Sequence, residues 1–217
     1  MRRAVAAEFL GALLLTAAVV GSGIMGERLA GGNAAIALLA NTGATVAALA
    51  TLISLLGPTS GAHFNPVVTL VAVWRGAMPP AQAIPYIAAQ IAGCCAGAVL
   101  ANAMFELPLV EASTHARTGL SQWLSEGVAT AGLILVAFSS PTIEAAAWRV
   151  AAWIGAAYWF TASTSFANPA ITLGRSLTNS FAGIRPEDAP AFIAAQLVGA
   201  VAGALLLRLL AQRKVAA

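Results

Sequence analysis

The residues with the most chemistry to offer are two short, similar clusters, Asn65–Pro66–Val67 and Asn168–Pro169–Ala170. An Asn side chain carries one carbonyl acceptor and two amide donors, and Pro has no backbone N–H. That combination binds rather than reacts: it caps a helix start and leaves amide donors for a polar solute. Bond-making chemistry has no matching candidates. The histidines, His63 and His115, are far apart, and Cys94 and Cys95 sit side by side in an apolar run as small packing residues. No nucleophile–base pair and no metal-ligand set can be assembled. An enzyme is therefore not expected, nor a cofactor. The remaining unusual polar groups, Glu8, Glu126, Gln90 and Gln196, all fall inside apolar segments.

Those segments dominate the chain. Of its 217 residues, 59% are hydrophobic and 9% charged, against about 25% charged in a soluble domain. Lipid must cover most of such a surface. Six long apolar stretches, at about 4–24, 34–56, 81–104, 121–139, 147–165 and 187–210, are each long enough to cross a bilayer. Arg2 and Arg3 precede an apolar run without a small-residue cleavage site, so that run is expected to be the first span. The net charge of +3 does not suggest nucleic acid, because the basic residues sit at span ends. One domain over 1–217 is expected, all-α and multi-pass.

Two apolar pieces fit none of the spans: NPVVTLVAVW at 65–74 and NPAITLGRSL at 168–177. Ten helical residues rise about 15 Å, half the hydrocarbon thickness. Both begin with Asn, a good N-cap, and Pro, tolerated in the first turn. They read as half-length helices. HFNPVVTL at 63–70 resembles FANPAITL at 166–173, and YIAAQIAGCCAGAVL at 86–100 resembles FIAAQLVGAVAGALL at 192–206. Each unit, about 1–105 and 121–210, thus holds three spans and one half-helix. An odd number of crossings inverts the second unit relative to the first.

Basic residues orient the whole. With the N-terminus inside, Arg2, Arg3, Arg75, Arg149, Arg208, Arg213 and Lys214 face the cytoplasm, and Arg28, Arg117, Arg175 and Arg185 face out. Both termini are then cytoplasmic, in the cell's inner (plasma) membrane. The pairs Gly93/Gly97 and Gly199/Gly203 allow close helix packing. Inverted half-helices must meet near the bilayer centre, where irregular backbone survives only if buried or lining a water-filled path. Loop carbonyls from Gly61, Ala62, His63, Phe166 and Ala167 would line that path, with Asn65 and Asn168 as donors at its middle. Two positive helix ends there repel cations. The arrangement suits small uncharged hydrogen-bonding solutes.

SGAHFNPVVTL and SFANPAITL resemble the paired Asn-Pro-Ala boxes of the aquaporin, or major intrinsic protein, family. The resemblance extends over essentially the whole chain. It implies an aquaporin-like right-handed bundle of six transmembrane helices plus two re-entrant half-helices, assembled as a homotetramer in the lipid bilayer. In this family, Glu residues matching Glu8 and Glu126 brace the re-entrant loops, a structural role preferred here to proton relay; Gln90 and Gln196 look like similar braces. Val67 departs from the usual Ala. The family's selectivity filter normally includes an Arg three residues after the second Asn, and here that position is Ile171. Spacing carries the other filter positions to Thr45, Ala156 and Ser165, a set without the usual bulky aromatic and His.

A filter of Thr45, Ala156, Ser165 and Ile171 implies a wide pore. Arg175, one turn beyond Ile171, either replaces the missing Arg at the mouth or pairs with loop carbonyls or lipid phosphate. His63 shapes the inner vestibule or senses pH. Tyr158, Trp159, Phe160 and Phe166 are packing or belt residues, one of which can intrude on the filter. The expected function is passive passage of glycerol and other polyols, urea, neutral metalloids such as arsenite, methylated arsenicals, and water. The motif resembles bacterial aquaglyceroporin-like members associated with arsenic resistance. A water-selective aquaporin and an ion-coupled secondary transporter are the competing readings.

Overall fold

The computed structural model describes residues 1–212, with side-chain surroundings to 210. Among these residues every regular element is a helix. In chain order they are α1 (Arg2–Leu29), α2 (Ala34–Ser60), α3 (Pro66–Trp74), α4 (Pro80–Met104), α5 (Leu120–Ser139), α6 (Ile143–Phe160), α7 (Pro169–Arg175) and α8 (Ala189–Gln212). Six are long; α3 and α7 are the half-helices. Five of the long ones are apolar and long enough to span a membrane. The exception is α6, whose Glu144, Trp148 and Arg149 dilute its hydropathy, yet it packs in the same bundle against α2 and α5. The expected Arg213 and Lys214 lie outside the described residues.

The helix boundaries differ from the hydropathy reading in an instructive way. Helix α1 runs on through Gly26–Glu27–Arg28, because backbone hydrogen bonds do not stop where hydrocarbon does. Helix α6 ends at Phe160 rather than near 165. The residues after it form the re-entrant loop, where Thr164, Ser165 and Ala167 take left-handed backbone angles (φ 60°, 52° and 48°) that no helix admits.

Burial is inverted relative to a soluble protein. Leu29, Ile84, Leu120 and Val198 are exposed on the outside, while Glu8, Gln90, Glu126 and Gln196 are completely buried. Apolar outside and hydrogen-bonded polar inside is the pattern lipid selects.

The helix pairs α1–α4 and α5–α8 carry corresponding contacts in the two halves. In each pair the glycines set the approach. A methyl group at Gly93 or Gly97 would be forced onto the backbone oxygen of Phe9 or Leu13 in α1, and one at Gly199 or Gly203 onto that of Gly127 or Ala131 in α5. The close contacts are thus within one chain. Gly97→Ala is expected to cost about 1–3 kcal/mol through overpacking, measurable as a lowered unfolding midpoint in detergent; an unchanged midpoint would mean the two backbones can part freely.

Candidate functional site

The half-helices begin as their sequences require. Asn65 Oδ1 accepts the Val67 N–H (3.1 Å), and Asn168 Oδ1 accepts those of Ala170 (3.0 Å) and Ile171 (3.3 Å). Pro66 and Pro169 fill the first helical positions, where no N–H is needed. The two ends are then stitched together. Asn65 Nδ2 donates to the Ala167 carbonyl and Asn168 Nδ2 to the Phe64 carbonyl, both at 2.8 Å. Each amide keeps its second N–H, and both side chains border the same cavity.

Two buried carboxylates hold the loops that carry these boxes. Glu8 Oε1 accepts the Ser60 hydroxyl (2.6 Å) and the His63 N–H (3.0 Å); Oε2 accepts the Phe64 N–H and Gln90 Nε2, both at 2.7 Å. In the second half, Glu126 Oε1 accepts the Ser163 hydroxyl (2.6 Å) and the Phe166 N–H (2.8 Å). Its Oε2 accepts the Ala167 N–H (2.8 Å) and Gln196 Nε2 (2.7 Å). Gln90 and Gln196 also donate to Thr69 and Thr172, each at 2.9 Å, whose hydroxyls donate back to the Asn65 and Asn168 carbonyls. Four donors thus converge on each carboxylate, two on each oxygen.

The braces hold a strained backbone. Ala62, Phe64, Ser165 and Ala167 all have φ near 50°, at about 1–3 kcal/mol each for residues other than Gly. Positions 62 and 64 correspond to 165 and 167 across the repeat. Alternating the backbone hand turns successive carbonyls to one side. Among the described residues, the carbonyls of Gly61, Ala62 and His63, and those of Ser165 and Phe166, accept no protein hydrogen bond, and these residues border the cavity.

That cavity, about 180 Å³, runs the length of the bundle. Phe138 and Ala146 border it where α5 ends and α6 begins; Tyr158 and Arg175 border it where α6 and α7 end. Leu15, Val19, Leu49, Ile53, Val68 and Ile154 make most of its wall apolar. His63 lines the inner part, its Nδ1 3.0 Å from the Thr69 hydroxyl and its ring tilted against Tyr86.

Thr45, Ser165 and Ile171 lie on this cavity, but Ala156 does not. The wall residues of α6 are Ala146, Val150, Ile154 and Tyr158, spaced by four. Ala156 is two residues from its neighbours in that row, about 200° round the helix, and is exposed on the outer face. Box-to-box spacing misplaced it because α6 ends early. Tyr158 borders the cavity instead, its hydroxyl 3.2 Å from that of Thr45. The region therefore does contain aromatic bulk, from Tyr158 and Phe166; Trp159 and Phe160 face outward. Val67 is fully buried and does not border this cavity.

Arg175 has the loop-carbonyl partner considered for it and also lies on the cavity wall. It is buried and borders the cavity; its Nε donates to the Ala182 carbonyl, and its guanidinium lies 3.4 Å from the Phe166 ring centroid. Arg117 approaches the same ring at 5.1 Å and donates to the carbonyls of Gly183 (2.7 Å), Phe181 (3.3 Å) and Ser163 (3.4 Å). Segment 105–119 also bonds along the loop after α7, from Glu111 N–H to Leu177 O (3.0 Å) and Ser113 N–H to Ser176 O (3.2 Å). It lies at the end of the cavity bordered by Tyr158 and Arg175.

Comparison with known proteins decides the family. The sequence profile of the major intrinsic protein family matches residues 1–144 and 140–217. The chain belongs to the major intrinsic protein family. It is a membrane channel of that family and not an enzyme. It is 52% identical over 214 residues to aquaglyceroporin AqpS of Rhizobium meliloti (strain 1021), covering 98% of this chain and 91% of the relative. It is 30% identical over 222 residues to aquaporin A of Dictyostelium discoideum, covering 95% and 78%. The X-ray structure of the aquaglyceroporin from Plasmodium falciparum superposes with a TM-score of 0.70 over 94% of each chain, at 19% identity, a likeness of fold. The all-α aquaporin-like bundle with two half-helices is thus established.

The outer clamp of this family member has its own pH signature. Asp188 accepts the Arg117 N–H (2.7 Å) and pairs with Arg185 (3.0 and 3.2 Å). Burial pushes the Asp188 carboxyl up, but these hydrogen bonds and the Arg185 charge outweigh it and hold the group below its ordinary value. A depressed carboxylate contributes stability that is full above its unfolded pKa, about 3.9, and lost as pH falls through the folded value. The clamp should therefore hold at neutral and mildly acidic pH and loosen only below about pH 4. Hydrogen exchange of segment 110–119 measures this; loosening already near pH 6 would contradict it.

Proposed function

We propose that this protein is a passive channel for small uncharged solutes of the aquaglyceroporin kind: glycerol and other polyols, urea, neutral metalloid hydroxides such as arsenous acid, and water. The observation that carries the reading is the outer cavity wall. Where the family's pattern has an Arg, Ile171 presents an apolar surface, and the guanidinium sits one turn further out at Arg175. A solute with hydroxyls on one side and carbon on the other meets matching surfaces. Its hydroxyls donate to the free carbonyls and accept from the Asn amides, while its carbon lies against Ile171 and Ile154. Thr45, Tyr158 and Ser165 complete the filter, and Arg175 with the two helix N-termini gives the path a positive character that repels cations. The 52% identical relative being named an aquaglyceroporin supports the same class.

The chain as one domain of two inverted units, a homotetrameric assembly and cytoplasmic termini belong to this reading. The carboxylates Glu8 and Glu126, each held by four donors, speak against an ion-coupled transporter. Stopped-flow light scattering on vesicles containing the purified protein tests the proposal. Glycerol and urea fluxes should rise well above those of protein-free vesicles and be indifferent to proton and sodium gradients. Water flux without glycerol flux would replace it with a water-selective channel, and gradient-dependent flux with a transporter.

A further inference from the structure

Helices α3 and α8 meet along a second cavity, a groove of about 280 Å³ separate from the pore. Its floor is Val67, Ala200 and Ala204, all buried; its rims include Leu70 and Trp74 on α3 and Val201 and Leu205 on α8, all exposed. Every lining residue is apolar. Small residues four apart on α8 form a furrow between larger neighbours, open to the lipid-facing surface.

The groove has a direction and a length. Val67 is two residues from Asn65, where the half-helices meet in the middle of the bundle. Trp74 is the last residue of α3, on the face where α1 begins. Seven helical steps separate them, about 10.5 Å, and the α8 rim from Leu197 to Leu205 covers about 12 Å. Half of the hydrocarbon core is about 15 Å. The furrow therefore runs from the bilayer centre to one interface and no further. At that interface its α8 row continues to Arg208, four residues beyond Ala204 and exposed. Arg75 is turned toward Phe138, its guanidinium 5.5 Å from that ring, which leaves Arg208, among the described residues, as the cation in line with the furrow. Among the described residues the salt bridge present joins Arg185 and Asp188 on the opposite face, so Arg208 is not neutralised. The same face bears Arg2, Arg3, Arg75 and Arg149 against one exposed carboxylate, Glu144.

We propose that this groove is a binding site for an anionic phospholipid, with one acyl chain in the furrow between α3 and α8 and its phosphate at Arg208. Length, polarity and charge along the groove follow those of one lipid in one leaflet: apolar at the centre, Trp74 at the interface, a cation beyond it. The lipid would also complete the packing of α3, the half-helix that carries Asn65, on its outer side.

Native mass spectrometry of the protein released from nanodiscs of mixed phosphatidylglycerol and phosphatidylcholine tests this. Wild type should retain phosphatidylglycerol in preference. Arg208→Gln should lower that preference about fivefold, the effect of one cation near a bilayer surface. Val201→Phe, at an exposed rim position, should fill the furrow and reduce retention of both lipids, with helix content unchanged by circular dichroism. Equal retention of the two lipids by wild type would overturn the proposal, as would lipid retention unaltered in both variants. A change in subunit number with Val201→Phe at constant lipid count would assign the groove to a second copy instead and equally overturn it.

Discussion

Glu126→Ala should lower the thermal midpoint in detergent by roughly 6 °C or more, taking a loss of at least about 3 kcal/mol and roughly 2–4 °C per kcal/mol at this chain length. Four donors converge on that carboxylate: the Ser163 hydroxyl, the Phe166 and Ala167 N–H groups and Gln196 Nε2. Removing it leaves them without acceptors in a site that has no exposure, and each unsatisfied buried donor costs about 1–3 kcal/mol. The left-handed residues Ser165 and Ala167 lose the bonds that hold their backbone, so solute flux should fall together with stability. Glu126→Gln is the sharper probe. It keeps the side-chain shape but turns an NH₂ toward an N–H donor, and should be impaired in the same direction. Because Glu8 holds the other loop in the same way, Glu8→Gln should behave alike. A Glu126→Gln protein with wild-type melting and wild-type flux would show that the brace is dispensable.

Ile171→Phe should reduce glycerol flux at least about tenfold while leaving water flux much less affected. Ile171 borders the cavity alongside Tyr158, Phe166 and Arg175, and a third ring there leaves room for a narrower solute only. A tenfold drop needs only about 1.4 kcal/mol of added barrier. The neutral ring tests size alone, avoiding the like-charge conflict that an Arg would create one turn from Arg175. Ile171→Ala should keep or raise glycerol flux. Stopped-flow scattering with both solutes on the same vesicle preparations reads the ratio; equal losses of water and glycerol flux would mean that the constriction lies elsewhere in the pore.

Much of this architecture was legible beforehand because lipid imposes simple rules. Spans must be long and apolar, so hydropathy finds them. Asn-Pro at the start of a ten-residue apolar piece announces a capped half-helix, and both caps form. The buried Glu and Gln residues stood out because charge inside an apolar run needs partners. Their hydroxyl partners, Ser60, Ser163, Thr69 and Thr172, are not marked by hydropathy, although each falls at the matching position of the repeat. Small hydroxyls raise no alarm in a hydropathy profile, yet the register of the repeat would have paired them.

The filter was the least legible part. Spacing from the two boxes points to Ala156 only if a fixed number of residues lies between the end of α6 and Asn168. That number depends on where the helix stops and how many left-handed residues follow, and a two-residue difference turns a side chain to the opposite face. Tyr158 entered the wall for this reason, and Arg117 reached the mouth from a loop that no local pattern connects to it.

The amino-acid sequence by itself therefore determined the lipid solvent, the inverted repeat, the capped half-helices and the absence of an Arg at position 171. These follow from composition, spacing and the hydrogen-bonding capacity of single side chains, all local properties. Only the tertiary structure decided which residues face the pore, that four donors converge on each of Glu8 and Glu126, and that Arg175 rests on Phe166 beside the path. Those depend on helix rotation and loop backbone angles, which are set by contacts between residues distant in the chain, such as Glu126 with Phe166 and Asn65 with Ala167.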